Sequence, residues 1–167
     1  MTTVPASDRR EADGMVGMAI FLGATTMLFA AFLLAYGVLR AQALAWPPPG
    51  TPSFPAAAAG ANALLLIAAT LSLRRGHRRA ALALGTTFLL GQALLWRHLV
   101  AAHLGPGAGA LGDAFFALSV LHALHVAGGL CALALSLRRP DRNRALKLYW
   151  DFVLAIWLIV FVAVCVL

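Results

Sequence analysis

The chain has 167 residues, of which 62% are hydrophobic and only 11% charged, with a formal net charge of +7. Soluble domains carry charge on roughly a quarter of their residues, so this composition excludes an ordinary water-exposed globule. The basic excess does not mark a nucleic-acid face either, because those residues fall in the short segments between long apolar runs.

Five apolar segments, at about 15–39, 56–73, 80–96, 114–137 and 148–167, approach the ~20 residues that a helix needs to cross hydrocarbon. They predict an all-α fold: a polytopic bundle of five transmembrane helices at 14–167, preceded by a cytoplasmic tail at 1–13. Ala41-Gln42-Ala43 after the first segment has the form of a leader cleavage motif. The apolar run before it is too long for a signal peptide and the tail is acidic as well as basic, so the span is read as retained. Trp46 to Pro55 then forms a stiff external connector with polyproline character. A tight turn at 74–79 makes the second and third spans an antiparallel hairpin. Gly105-Pro106-Gly107-Ala108-Gly109 is a flexible external turn ahead of the fourth span. All eight prolines lie outside the spans.

Charge supplies the orientation. Eleven of the thirteen basic residues lie in the N-terminal tail (Arg9, Arg10), the 74–79 turn (Arg74, Arg75, Arg78, Arg79) and the 138–147 loop (Arg138, Arg139, Arg142, Arg144, Lys147). Arg40 and Arg97 occupy the other two connections. With five spans the three rich segments share one side, and positive residues mark the cytoplasmic side. The N-terminus is therefore expected inside and the C-terminus outside.

Few residues can carry chemistry. In the fourth span Ser119, His122 and His125 follow at i, i+3 and i+6, along one helical stripe. Ionisable groups at membrane depth are costly and point to function by default. Neutral imidazoles can ligate a metal or haem iron, relay protons, or simply hydrogen-bond to each other, to Ser119 or to a neighbouring helix. A metal needs at least a third ligand, and His77, His98 and His103 fall at or near the membrane surface, so packing is the reading adopted. Gly129, one turn past His125, lets another helix approach this face. Asp151 is the one acidic residue in a predicted span, in the first turn of the fifth, with Lys147 one turn earlier as its expected ion-pair partner. Gln92, Asn62, Thr25, Thr26, Thr86 and Thr87 are expected to join helices through hydrogen bonds. Cys131 and Cys165 lack zinc or CxxC spacing and read as small apolar core residues. No carboxylate pair and no nucleophile with a base beside it is present, so no catalytic, cofactor or metal site is expected in this chain.

Several motifs resemble one family. Phe115, Phe116, Leu118, His122, His125, Val126 and Gly129 match the FFxLTGxHxxHVxxG signature of cytochrome c oxidase subunit III. Phe21, Leu22 and Met27 resemble its FLxSExMxF helix, and Trp46-Pro47-Pro48-Pro49-Gly50 with Asn62 its WPPPG loop and following helix. Gly85, Phe88, Leu89, Gln92 and Trp96 resemble GxxFLxxQxxEW; Tyr149-Trp150, Phe152-Val153 and Trp157 resemble YWHFVDxVW. The matches run in order over nearly the whole chain. The departures share a chemistry, because three family carboxylates are replaced, by Thr25, Leu95 and Leu154.

The resemblance implies a non-catalytic bundle that packs against the catalytic haem–copper subunit I and other oxidase subunits. It implies phospholipid held in a cleft, support of proton uptake and turnover, and haem and copper carried by the partner. The implied setting is a bacterial cytoplasmic membrane. The chain resembles the five-helix form lacking the first two helices of the fuller form. The competing readings are a subunit III-like accessory of nitric oxide reductase or of a quinol oxidase, and a small transporter or membrane enzyme. A transporter calls for broken helices and midplane charge, which this sequence lacks.

Overall fold

In hydrocarbon no water is available to the backbone, so each crossing segment closes its hydrogen bonds within a helix. The computed structural model describes residues 6–47, 54–137 and 143–166, with side chains described over 14–47, 54–137 and 144–164. The proline-rich stretch at 48–53, Arg138, Arg139 and Arg142, and the side chains of Arg9, Arg10 and Cys165 lie outside the described residues. Five helices follow in order: α1 (Ala6–Gln42), α2 (Ala56–Arg74), α3 (Arg78–Ala101), α4 (Ala110–Ser136) and α5 (Asn143–Phe161), the last running into a π-turn at Val162–Val166. Among the described residues no strand occurs, and all five helices are long and apolar enough to cross a membrane.

The helices outrun the apolar segments. Residues 6–13 contain neither glycine nor proline, so α1 extends back to Ala6 through the stretch expected as a tail. α3 continues to Ala101 and carries His98 in its last turn. α4 starts at Ala110 and so takes in Asp113. α5 starts at Asn143, which puts Asp151 two turns into the helix rather than in its first turn. Arginine and glutamate at these ends are good helix formers and Asp or Asn suits a helix start, so the helices run on through turns that hydropathy alone does not register.

α2, α3, α4 and α5 pack as a closed ring, each against its two neighbours, and α1 lies outside the ring against α4 and α5. The α2–α3 connection is the tight hairpin expected. Gly76 takes φ +87°, a left-handed conformation that a side chain would strain, and the His77 amide donates to the Ser72 carbonyl at 2.9 Å. Between α3 and α4, Gly107 and Gly109 also have positive φ, and the Gly107 amide donates to Asp113 Oδ1 at 2.6 Å.

Close approach of α5 to α3 and α4 depends on two glycines. A Cβ on Gly85 of α3 would lie 2.9 Å from Trp150 Cη2 and 2.8 Å from Leu130 Cδ2. A Cβ on Gly129 of α4 would lie 2.8 Å from Tyr149 Cε1 and 3.6 Å from Trp150 Cε2. The indole of Trp150, 1% exposed, thus sits in a notch made by helices α3 and α4 together. On α2, Gly60 receives the ring of Phe161 in the same manner, at 3.4 Å.

Replacing Gly129 by valine should drive α4 and α5 apart at a cost of about 1–3 kcal/mol, the usual penalty of overpacking. Gly128→Ala should be close to neutral, because a Cβ there meets only Tyr149 Oη at 3.9 Å. Thermal unfolding in detergent measures both. Equal midpoints for Gly129→Val and the native chain would contradict the notch.

Candidate functional site

The stripe on α4 faces inward, where side chains of α1, α3 and α5 meet it. His122 is buried, 1% exposed. Its ring stacks on Trp157 of α5 at a centroid distance of 4.8 Å and an interplanar angle of 26°. Phe88 of α3 meets it edge-on at 6.0 Å and Phe29 of α1 at 6.4 Å. Neither ring nitrogen has a hydrogen-bond partner within the protein. The histidines therefore bond neither to each other nor to Ser119, two of the three kinds of partner the sequence offered. Aromatic stacking holds His122, an arrangement worth ~0.5–1.5 kcal/mol beyond area burial.

His125 occupies the α1 side of the same stripe. Its Nδ1 lies 2.8 Å from the Leu121 carbonyl one turn back, and its ring faces Phe29 at 5.4 Å and Phe21 at 6.3 Å. Tyr149 of α5 donates its hydroxyl to the His125 carbonyl at 2.6 Å. Ser119 is fully buried and accepts the Trp96 indole N–H at 2.9 Å, tying α3 to α4. Asn62 Nδ2 donates to the Phe88 carbonyl at 3.2 Å and to Gln92 Oε1 at 3.3 Å, tying α2 to α3. Gly91 leaves the room for this, since a Cβ there would collide with Asn62 Oδ1. Gln92, Trp96, Ser119, His122, Gly129, Tyr149, Trp150 and Trp157 are thus brought into one interior.

Other sequence expectations need correction. Asp151 pairs with Arg74, whose Nε lies 2.8 Å from Oδ1, and not with Lys147. A lysine four residues before an acid is the weaker helical order, and the end of α2 delivers a guanidinium from across the helix interface. Lys147 instead donates to the Arg74 carbonyl at 3.4 Å, where a cation suits the C-terminus of α2. Thr26, Thr86 and Thr87 do not bridge helices: each bonds to the carbonyl four residues back in its own helix. Cys131 is exposed on the outer face of α4 rather than in the core, a position that lipid tolerates for a small apolar thiol.

Sequence reasoning missed Arg74 as an ion-pair partner, Gly85 as half of the Trp150 notch and Phe29 as the α1 contact to both histidines. Phe29 stands one helical turn after Thr25, so the buried stripe of α1 was available as the signal. Among the described residues no group of three His, Cys, Asp or Glu side chains is placed to hold a metal ion. Thr25 and Leu95 are buried and Leu154 half-buried, so the three positions at which the sequence departs from the motifs it resembles lie mainly inside the bundle.

This arrangement defines a polytopic membrane bundle whose interior is built for packing, with aromatic rings and single polar bridges between helices. The chain is 30% identical to the cytochrome c oxidase subunit 3 of Synechocystis sp. over 92% of its own length and 75% of the relative's. It is 31% identical to the cytochrome bo(3) ubiquinol oxidase subunit 3 of Pseudomonas aeruginosa, over 89% of this chain and 82% of that one. It is 29% identical to the probable cytochrome c oxidase subunit 3 of Mycobacterium tuberculosis, over 89% and 85%. No family model matches the chain. The chain belongs to the cytochrome oxidase subunit 3 family.

The stacking account makes a distinct prediction for position 122. His122→Phe preserves the ring on Trp157 and removes two unpartnered nitrogens, so stability should hold or rise. His122→Ala should lose about 2–4 kcal/mol to the cavity. Denaturant unfolding of the purified chain checks this, and a Phe variant as damaged as the Ala variant would show that the imidazole nitrogens matter.

Proposed function

We infer that this chain is the accessory third subunit of a haem–copper terminal oxidase in aerobic respiratory electron transport. It packs against the catalytic subunit, which carries haem and copper, together with other subunits of the complex. The observation that carries this reading is the similarity to named oxidase third subunits over about nine-tenths of the chain. The interior agrees with an accessory role, because its polar groups serve helix contacts. The family's role in holding phospholipid and sustaining proton uptake comes to this chain with its family. Three carboxylates of the motifs are replaced by Thr25, Leu95 and Leu154, so any support of proton uptake runs without them. The similarity to a ubiquinol oxidase subunit keeps a quinol-fed complex as the second reading.

The setting is a bacterial cytoplasmic membrane, in keeping with the bacterial relatives. The N-terminus and the 74–79 and 138–147 segments face the cytoplasm, on the eleven-to-two split of basic residues.

Purifying the tagged chain from its native membrane in mild detergent should bring with it a haem- and copper-containing subunit in equal stoichiometry. The complex should consume oxygen with reduced cytochrome c, or with quinol on the second reading. Full-yield recovery of the chain with neither haem nor copper in the preparation would count against both.

Orientation is tested by cysteine labelling in a background with Cys131 and Cys165 replaced by serine. A cysteine at His77 should resist an impermeant thiol reagent in intact cells, whereas one at Ala108 should react. The opposite pattern would invert the topology.

A further inference from the structure

The hydrogen bond at Nδ1 of His125 fixes what the other ring nitrogen can do. A carbonyl oxygen only accepts, so the nitrogen 2.8 Å from the Leu121 carbonyl carries the proton. In a neutral imidazole Nε2 is then a bare acceptor. It has no partner among the described residues. α4 runs for 27 residues from Ala110 to Ser136, which puts His125 about 22 Å from one end of the helix and about 16 Å from the other. That is mid-depth in the hydrocarbon, where no water reaches the lone pair and lipid tails offer no donor.

The surroundings of this nitrogen differ from those of His122. His122 is sealed inside the bundle, whereas His125 is only half-buried and can be met from outside. Its ring lies on the seam of α4 with α1, against Phe29 and the partly exposed Phe21. One turn along α4, Gly128 is exposed, and a Cβ there would meet only Tyr149 Oη at 3.9 Å. Internal packing therefore does not call for glycine at 128 as it does at 129. A bare Cα at the outer surface is what lets a further helix approach closely. Leu124, one turn before Gly128 and exposed, completes the patch.

We propose that His125 and Gly128 form a docking point for a membrane helix of a neighbouring subunit, which lays its backbone against Gly128 and donates a side-chain O–H or N–H to His125 Nε2. The inference rests on the accessory-subunit reading and adds to it a place on this chain where a partner is held. A protein helix is the occupant because it brings a donor to mid-depth. A phospholipid carries its donors in the headgroup layer, about 15 Å away at half the hydrocarbon thickness. A metal ion needs further ligands, and among the described residues no group of three is placed to hold one. A second copy of this chain, docked symmetrically through the same patch, would set one His125 acceptor against another.

A photo-crosslinker in place of Leu124, activated in native membranes before the complex is purified and assayed for haem and copper, tests the proposal. It should capture another subunit of the complex. Labelling of lipid alone, or of a second copy of this chain, would overturn the proposal. A preparation with neither haem nor copper would sink the accessory reading and this inference with it, whereas lipid-only labelling in a preparation that holds both sinks this inference alone. His125→Leu should weaken the hold of the complex on the chain by about threefold, and at most by roughly twentyfold. His125→Gln keeps an acceptor oxygen and should lose less. Gly128→Leu should also weaken retention while leaving the thermal midpoint of the isolated chain near that of the native one, which separates docking from folding. Full retention of both His125→Leu and Gly128→Leu would count against the docking point. In the intact complex the nitrogen-15 resonance of His125 Nε2 should be that of an unprotonated acceptor, and a protonated Nε2 would overturn the proposal.

Discussion

The seating of Trp150 between Gly85 and Gly129 is the contact on which the rest of the bundle depends. Lipid tails are as apolar as leucine, so helices in a membrane gain nothing from hiding apolar surface and must gain from close packing. A bare Cα on each of two helices allows the largest side chain on a third to fill the space between them. With α5 fixed in this way, Tyr149 reaches the His125 carbonyl, Trp157 meets His122 and Asp151 comes within reach of Arg74. The ring closes because α5 touches α2 and α4, and the notch sets how closely it does so.

Polarity is distributed by the same economy. Each interhelical polar bridge joins a single pair of helices: Asn62 with Gln92 and the Phe88 carbonyl, Trp96 with Ser119, Tyr149 with the His125 carbonyl. Thr26, Thr86 and Thr87 satisfy their own helices and add no cross-links. Ionic contacts lie at the end of α2, where water and headgroups can share the cost of charge. Thr25, Leu95 and Leu154 fit this pattern, since a carboxylate inside such a bundle would need a partner to offset its desolvation.

Much of this was legible in the sequence, for identifiable reasons. Five spans follow from apolar runs, and the hairpin follows from Gly76 among arginines. The inward face of α4 follows from the spacing of Ser119, His122 and His125 with Gly129 beyond. The partners of these residues were not legible, because they come from helices distant in the chain. Nothing local says that Asp151 will meet Arg74, 77 positions away, instead of Lys147 beside it. Nor does periodicity say that His122 will be held by a ring face, when its chemistry offers two nitrogens for bonding. Helix ends were misplaced where polar residues such as Asp113 and Arg78 continue a helix beyond the apolar stretch.

The position of α1 outside the ring has a consequence for biogenesis. Its packing partners are α4 and α5, both made after α2 and α3. At elongation rates of about 5–20 residues per second, α1 waits on the order of ten seconds before Tyr149 leaves the ribosome. Through that interval α2 and α3 can close their hairpin without it, while the faces of α1 that will carry Phe21 and Phe29 against α4 and α5 remain open to lipid or to the insertion machinery. α1, made before the helices of the ring, is thus among the last to dock, and the order of translation differs from the order of assembly.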